Sequence, residues 1–289
     1  MELIYLALFL LGLCFGSFAG AMVWRLRAKQ LTEDKGFGEK VDRKEYSKLH
    51  SLNKSSALND YSRCLDCGYR LRWYDLIPLV SWLVLRGRCR KCRKPIGYME
   101  PLIELGLAVV FVFSYILWPY QLITVADVVR LVIWLSACVA LAILFVYDTK
   151  WLLLPDIANY TVVIFGVINS IMLISLSSDR LGQLISVISS IATLSGLYFV
   201  IYLVSKGKWV GFGDVKLGLG LGLVLADWRL ALLALFTANL VGCVIVIPAM
   251  LAHTLKRDSH IPFGPLLIAG FLIAGLFGEP IINLFLFSL

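Results

Sequence analysis

The chain has 289 residues, of which 60% are hydrophobic and only 16% charged, with a mean hydropathy of +0.83 and a net charge of +8. A soluble domain of this length needs about a quarter of its residues charged to cover its surface, so the composition excludes one. The basic balance does not point to nucleic acid either, because the Lys and Arg residues border long apolar runs.

The first run, 3–23, is long enough to span a hydrocarbon core of about 30 Å as a helix. Glu2 precedes it and Arg25, Arg27 and Lys29 follow. A secretory signal carries its positive charge at the front, so these flanks predict a retained first helix. Residues 24–100 form a loop holding 18 of the 27 Lys and Arg residues. Within it, 30–61 is polar and charge-mixed without a clear period, which predicts a mobile segment.

The loop also contains Cys64-Leu-Asp-Cys67 and Cys89-Arg-Lys-Cys92, separated by 21 residues. Two Cys-x-x-Cys knuckles at this separation are the pattern of a tetrahedral structural zinc site. Gly68 and Gly87 suit tight turns beside them. Arg63, Arg88, Arg90, Lys91 and Arg93 would favour thiolates and offset the negative charge of a four-thiolate zinc centre. Two disulfides, or unpaired thiols, are the alternative, against which a reducing cytoplasmic face argues. Cys14, Cys138 and Cys243 lie in apolar runs and read as packing residues. Between the knuckles, residues 73–85 are strongly apolar, and either lie on the membrane surface through Trp73 and Trp82 or pack against the helices.

Beyond the loop, apolar runs recur at 102–117, 128–147, 157–176, 184–204, 217–225, 230–251 and 265–277. Backbone groups in lipid must pair within the segment, so these predict helices. The expected fold is an all-α polytopic membrane protein of about eight transmembrane helices with a cytoplasmic zinc-binding loop. The run at 217–225 is short, and the last may extend past Gly278-Glu-Pro280. Its organisation divides into a first helix (1–23), the loop (24–100) and a transmembrane bundle (101–289). Lys150, Lys206, Lys208, Lys216, Lys256 and Arg257 fall in loops on the same side as the basic loop, while the opposite side holds only Arg130, Arg180 and Arg229. The positive-inside rule puts the richer side in the cytoplasm, and with eight spans both termini outside.

Carboxylates near a bilayer are costly, so their positions are informative. Asp127, Asp179 and Asp227 read as helix-end residues on the outer side, and Asp156 as an N-terminal helix partner. Asp148 ends a long apolar run after Tyr147, and Asp214 lies in Gly211-Phe-Gly-Asp214. The topology brings both to the cytoplasmic side at similar depth, although 65 residues separate them. Two carboxyls that meet cannot comfortably both ionise, so one serves as acid and the other as base, able to activate water for peptide hydrolysis. Spacing alone favours two separate helix-end aspartates partnered by Lys150 and Lys216.

Several segments in order resemble those of the bacterial type IV prepilin peptidases, the leader peptidase/N-methyltransferases of pilus and type II secretion systems. They are Gly16-Ser17-Phe18, the four cysteines, Asp75-Leu-Ile-Pro-Leu-Val-Ser-Trp-Leu83 with Arg86-Gly-Arg-Cys89, Pro101-Leu-Ile-Glu104, Asp148 with Leu154-Pro-Asp156, Gly211-Phe-Gly-Asp214-Val-Lys-Leu217 and Ile261-Pro-Phe-Gly-Pro265. The resemblance covers nearly the whole chain. It implies that Asp148 and Asp214 are the catalytic dyad of a membrane aspartic endopeptidase in the bacterial inner membrane. Such an enzyme cuts a short basic leader from prepilins or pseudopilins on the cytoplasmic side. It implies further that S-adenosylmethionine then serves to methylate the new N-terminus, that 24–100 is associated with that transfer, and that the partners are substrate and membrane lipid.

The chain departs from the family pattern at Ala19-Gly20-Ala21, where Leu-Asn-Val is usual, at Leu65, where proline is usual, and at Met99-Glu100, where Arg-Tyr is usual. All three lie in the part linked to methylation. The competing expectations are a presenilin-like or preflagellin-type protease without methylation, and a non-enzymatic zinc-loop assembly factor in which the two aspartates need not meet.

Overall fold

The computed structural model describes residues 2–53, 61–252 and 261–287. Lys54, Lys256 and Arg257, which contribute to the charge asymmetry, lie outside the described residues. Among the described residues every regular element is helical, and seven helices are long and apolar enough to cross a membrane. The protein is therefore an all-α, multi-pass membrane protein. It divides into two compact units, Met1–Val112 and Phe113–Leu289.

In the first unit, α1 (Glu2–Gly36) is 35 residues long. At 1.5 Å per residue it measures about 52 Å, well beyond a bilayer core. The polar stretch expected to be mobile is ordered over much of its length. Residues 30–36 continue α1, and α2 (Arg43–Leu49) runs into a 3-10 turn at His50–Asn53. Side-chain contacts that local composition does not reveal explain this. Arg27 Nη2 lies 2.7 Å from Glu45 Oε2, Asp42 caps α2 by accepting the Lys44 N–H at 2.8 Å, and Ala28, Leu31 and Leu49 bury one another. Residues 54–60 of that stretch lie outside the described set.

Helix α4 (Met99–Ile116) packs along α1 at very short range. A Cβ on Gly12 would collide with the backbone at Ala108, and one on Gly16 with the backbone at Glu104. Small residues four apart let two membrane helices approach this closely. The same region anchors the apolar inter-knuckle segment. Leu79, with a left-handed φ of 57°, donates its backbone N–H at 2.7 Å to the buried Glu104 carboxylate. Short α3 (Val80–Val84) follows and leaves Val80, Leu83 and Val84 exposed, as Trp73 is. One side of this segment is thus tied to α4, as packing against the helices predicts, and the other presents an exposed apolar face.

The second unit contains α5 (Val125–Trp151), α6 (Asp156–Leu176), α7 (Arg180–Ile191), α8 (Leu197–Ser205), α9 (Phe212–Leu225), α10 (Trp228–Leu251) and α11 (Gly264–Phe287). A π turn at Ala192–Gly196 joins α7 and α8 into one continuous span. The aspartates read as helix-end residues do serve helix ends. Asp127 completes a capping box with Thr124, while Asp179 and Asp227 are N-caps.

The short run at 217–225 is explained by α9, whose 14 residues reach about 21 Å, less than a full crossing. It is enclosed by neighbouring helices: Gly218 faces the Leu194 carbonyl, Gly220 faces Val162 and Gly222 faces Ser190 and Ile191. A helix that stops among other helices leaves its last carbonyls unpaired, at high cost in an apolar setting. Here side chains supply the donors. Asn169 Nδ2 reaches Val224 O at 2.9 Å, Ser170 Oγ reaches Leu223 O at 2.9 Å, Ser190 Oγ reaches Gly222 O at 2.8 Å and Gln183 Nε2 reaches Ala226 O at 3.1 Å.

Candidate active site and metal centre

Asp148 sits in the last turn of α5 and is 5% exposed. Its Oδ2 accepts the backbone N–H of Gly264, the first residue of α11, at 2.9 Å. A helix N-terminus carries unpaired N–H groups and partial positive charge, which suit a carboxylate. The glycine is sterically required, because a Cβ at 264 would lie 2.8 Å from Asp148 Oδ2.

Asp214 is the third residue of α9. Its carboxylate turns back on the N-cap, Gly211, whose backbone N–H stabilises it as in half of a capping box. It is near enough to Asp148 for the two carboxylates to interact electrostatically. One side chain touches the surroundings of both. Leu154 lies 3.0 Å from the Cβ position of Gly213 and 3.3 Å from that of Gly264. The lysine proposed as a partner for Asp214 is engaged elsewhere, since Lys216 Nζ meets Asp156 Oδ1 at 2.6 Å. The anticipated N-terminal role of Asp156 is thus joined by an ion pair to α9.

Two buried polar groups near this end of the bundle escape sequence reasoning because both lie within apolar runs. The Tyr198 hydroxyl and both amide atoms of Asn159 are buried without a hydrogen-bond partner. Asn159 is on the α6 face that meets α9, three residues from Asp156 and three from Val162, which contacts Gly220. A small pocket lies elsewhere in this unit. Trp118, Arg130, Trp134, Asn169 and Val224 line it, and Val224 is about 15 Å along α9 from Asp214.

In the first unit the four cysteines converge. The Sγ atoms of Cys64, Cys67, Cys89 and Cys92 all lie within 4.8 Å of one another, with Cys64–Cys92 at 3.9 Å and Cys67–Cys89 at 4.0 Å. Disulfides are thereby excluded, since bonded sulfurs are about 2.05 Å apart. Tetrahedral Zn–S bonds of about 2.3 Å place sulfurs about 3.8 Å apart, so the donor set fits that ion. The two knuckles share a local plan. Gly68 donates its N–H to Cys64 O and Arg93 its N–H to Cys89 O, each from a left-handed conformation (φ 67° and 60°). Gly87 belongs to neither knuckle turn and instead allows the Trp82 ring to approach. Burial pushes the Cys64 thiol up to about 12. The Cys89 thiol also feels burial, but the Cys92 and Lys91 N–H groups and the Cys64 side chain hold it down at about 7. Cys64, Cys67, Cys89 and Cys92 would hold a divalent cation as four thiolates, which would remove this asymmetry.

The nearby acids are engaged with the loop's own cations. Asp66 Oδ1 lies 3.2 Å from both Lys48 and Lys94, which hold its carboxyl below the usual carboxylate range. Asp75 accepts Arg90 Nε at 2.7 Å and the Arg72 N–H at 3.2 Å.

Long apolar helices around two neighbouring carboxylates, with a four-cysteine cluster that could hold a metal ion, define a multi-pass membrane protein. Comparison with known proteins gives the family. The model of the bacterial peptidase A24 N-terminal domain matches residues 10–118, and that of the type IV leader peptidase family matches residues 135–247. A prepilin leader peptidase/N-methyltransferase of Pseudomonas aeruginosa is 29% identical over 280 residues, covering 96% of this chain and 91% of the relative. One from Dichelobacter nodosus is 30% identical over 284 residues, covering 96% and 92%. A type 4 prepilin-like proteins leader peptide-processing enzyme of Escherichia coli is 30% identical over 265 residues, covering 90% and 88%. No solved structure matches the chain. The chain belongs to the type IV leader peptidase family.

Proposed function

We propose that this protein is a prepilin peptidase of the bacterial inner membrane, which removes the basic leader of type IV prepilins or pseudopilins using Asp148 and Asp214. The observation that carries the reading is the proximity of two carboxylates from distant parts of the chain, with Leu154 beside the neighbours of both and one of them buried against a helix N-terminus. The two carboxyls share one proton. The ionised one takes a proton from water, whose oxygen bonds to the scissile carbonyl carbon. The other donates to the departing amine as the C–N bond breaks.

The excess of Lys and Arg in alternate loops supports a cytoplasmic position for this site. Residues 101–289 are the peptidase bundle, residues 1–23 the first membrane helix, and residues 24–100 the region serving methylation. The four-cysteine cluster holds structural zinc, and lipid surrounds the helices. N-methylation of the new terminus, with S-adenosylmethionine as donor, rests on the names of the relatives.

The test is to incubate membranes containing the protein with a prepilin and S-adenosylmethionine, then follow leader loss by gel shift and the new terminus by mass spectrometry. Cleavage at the basic leader with addition of one methyl group is expected. An intact substrate rejects the peptidase, and an unmethylated product rejects the second activity alone.

A further inference from the structure

Tyr198 lies in α8, just past the π turn at Ala192–Gly196. The register against α9 is antiparallel: Gly222 faces Ser190 and Ile191, Gly218 faces Leu194, and Ser195 Oγ donates to Val215 O at 3.0 Å. One turn further on, Tyr198 reaches the start of α9, where it interacts electrostatically with Asp214. Its ring packs edge-on against Phe263 at 5.1 Å, and Phe263 directly precedes the glycine that binds Asp148. The side chain therefore lies near Asp214 and packs on the residue that precedes the glycine bound to Asp148.

The residue is 4% exposed, yet among the described residues its hydroxyl meets no partner in hydrogen-bond geometry. The Asn239 amide comes near the hydroxyl, and it donates one N–H to Leu235 O at 2.8 Å. A buried hydroxyl left unpaired is costly, and phenylalanine would fill the same space without that cost. A π turn in a membrane helix is a further irregularity of the kind found at functional sites.

We propose that Tyr198 is a substrate-contacting catalytic residue whose hydroxyl donates a hydrogen bond to the scissile carbonyl oxygen as that carbon becomes tetrahedral. The proposal rests on the Asp148–Asp214 reading. As water adds to the carbonyl carbon, the C=O π pair moves onto the oxygen, and the Tyr198 O–H meets the growing negative charge. Tyr198 keeps its own proton throughout. The dyad takes the proton of water and delivers one to the amine, and the oxygen's pair re-forms the C=O bond as C–N breaks. A donor pre-aimed at the developing charge needs no partner beforehand, which accounts for the free hydroxyl.

The experiment compares Tyr198→Phe with Asp148→Asn and Asp214→Asn in detergent-solubilised protein. It measures prepilin cleavage, thermal unfolding, and inhibition by a leader peptide carrying a hydroxyethylene group at the scissile bond. With both Asn variants inactive, Tyr198→Phe is expected to lower kcat about a hundredfold. KM should stay within about twofold, inhibition should weaken in proportion to kcat, and the melting temperature should not fall. Wild-type cleavage by Tyr198→Phe overturns the proposal while leaving the dyad in place. A lower melting temperature with substrate and inhibitor affinity lost alike assigns Tyr198 a packing role and also overturns it. Activity in both Asn variants overturns the dyad first, and the tyrosine's role with it.

Discussion

The Asp148 carboxylate accepts the Gly264 N–H at 2.9 Å, which ties the last turn of α5 to the first residue of α11, 116 positions later. Space at residue 264 is as important as the hydrogen bond. In Gly264→Ala the new Cβ would lie 2.8 Å from Oδ2 and 3.3 Å from Leu154 Cδ2, so the carboxylate must move. Misplacement of a reacting group by about 1 Å costs about a hundredfold in rate. Gly264→Ala is expected to cleave prepilin that much more slowly while remaining folded in membranes, as checked by initial rates and limited proteolysis.

The four-thiolate centre predicts one zinc per chain in the purified protein, measured by atomic emission. Cys64→Ser/Cys89→Ser should contain none, and its loop should lose protection from proteolysis, because metal binding and local folding are coupled. The absence of zinc from wild-type protein contradicts the assignment.

Asp66 gives a pH-dependent prediction for the same loop. Lys48 and Lys94 hold its carboxyl below the usual value, so the charged form is favoured in the folded loop. That contribution is fully present above the unfolded value of about 3.9 and is lost as pH falls through the lower folded value. Asp66→Asn should therefore speed amide hydrogen exchange in the loop slightly at pH 7, and the difference should vanish in acid. Exposed pairs are worth about 0–1 kcal/mol, so the change is small. Equal exchange in the two proteins at pH 7 contradicts it.

The buried end of α9 gives a stability prediction. Asn169→Leu removes the donor to Val224 O and leaves that carbonyl unpaired among helices. Such a loss costs about 1–3 kcal/mol. Denaturation in mixed micelles should register it, with cleavage by the remaining folded protein unchanged. A variant as stable as wild type would show that the carbonyl finds another donor.

The membrane class, the convergence of the cysteines and the helix-end aspartates were legible in the sequence because each has a local signal: apolar run length, Cys-x-x-Cys spacing, and capping residues beside a run. The order within residues 30–53 was not. It depends on Arg27 meeting Glu45 and Leu49 covering Ala28 and Leu31, contacts that a charge-mixed segment does not announce. Asp148 and Asp214 stood out as carboxylates next to apolar runs, but their meeting is tertiary. Spacing did not favour it over two helix ends, and the family resemblance did. Lys216 was placed beside the wrong acid, because the parallel packing of α6 on α9 brings it to Asp156. Tyr198 and Asn159 carried no signal at all, each being one polar group inside an apolar helix.

Asp148 and Asp214 are proposed to work as one unit, which a double-mutant comparison of prepilin cleavage can measure. Rates would be measured for Asp148→Asn, Asp214→Asn and the double variant under identical conditions. Groups that act together are strongly non-additive. The account predicts that each single variant loses as much activity as the double. Near-wild-type cleavage by either single variant, or losses that multiply in the double, would contradict it.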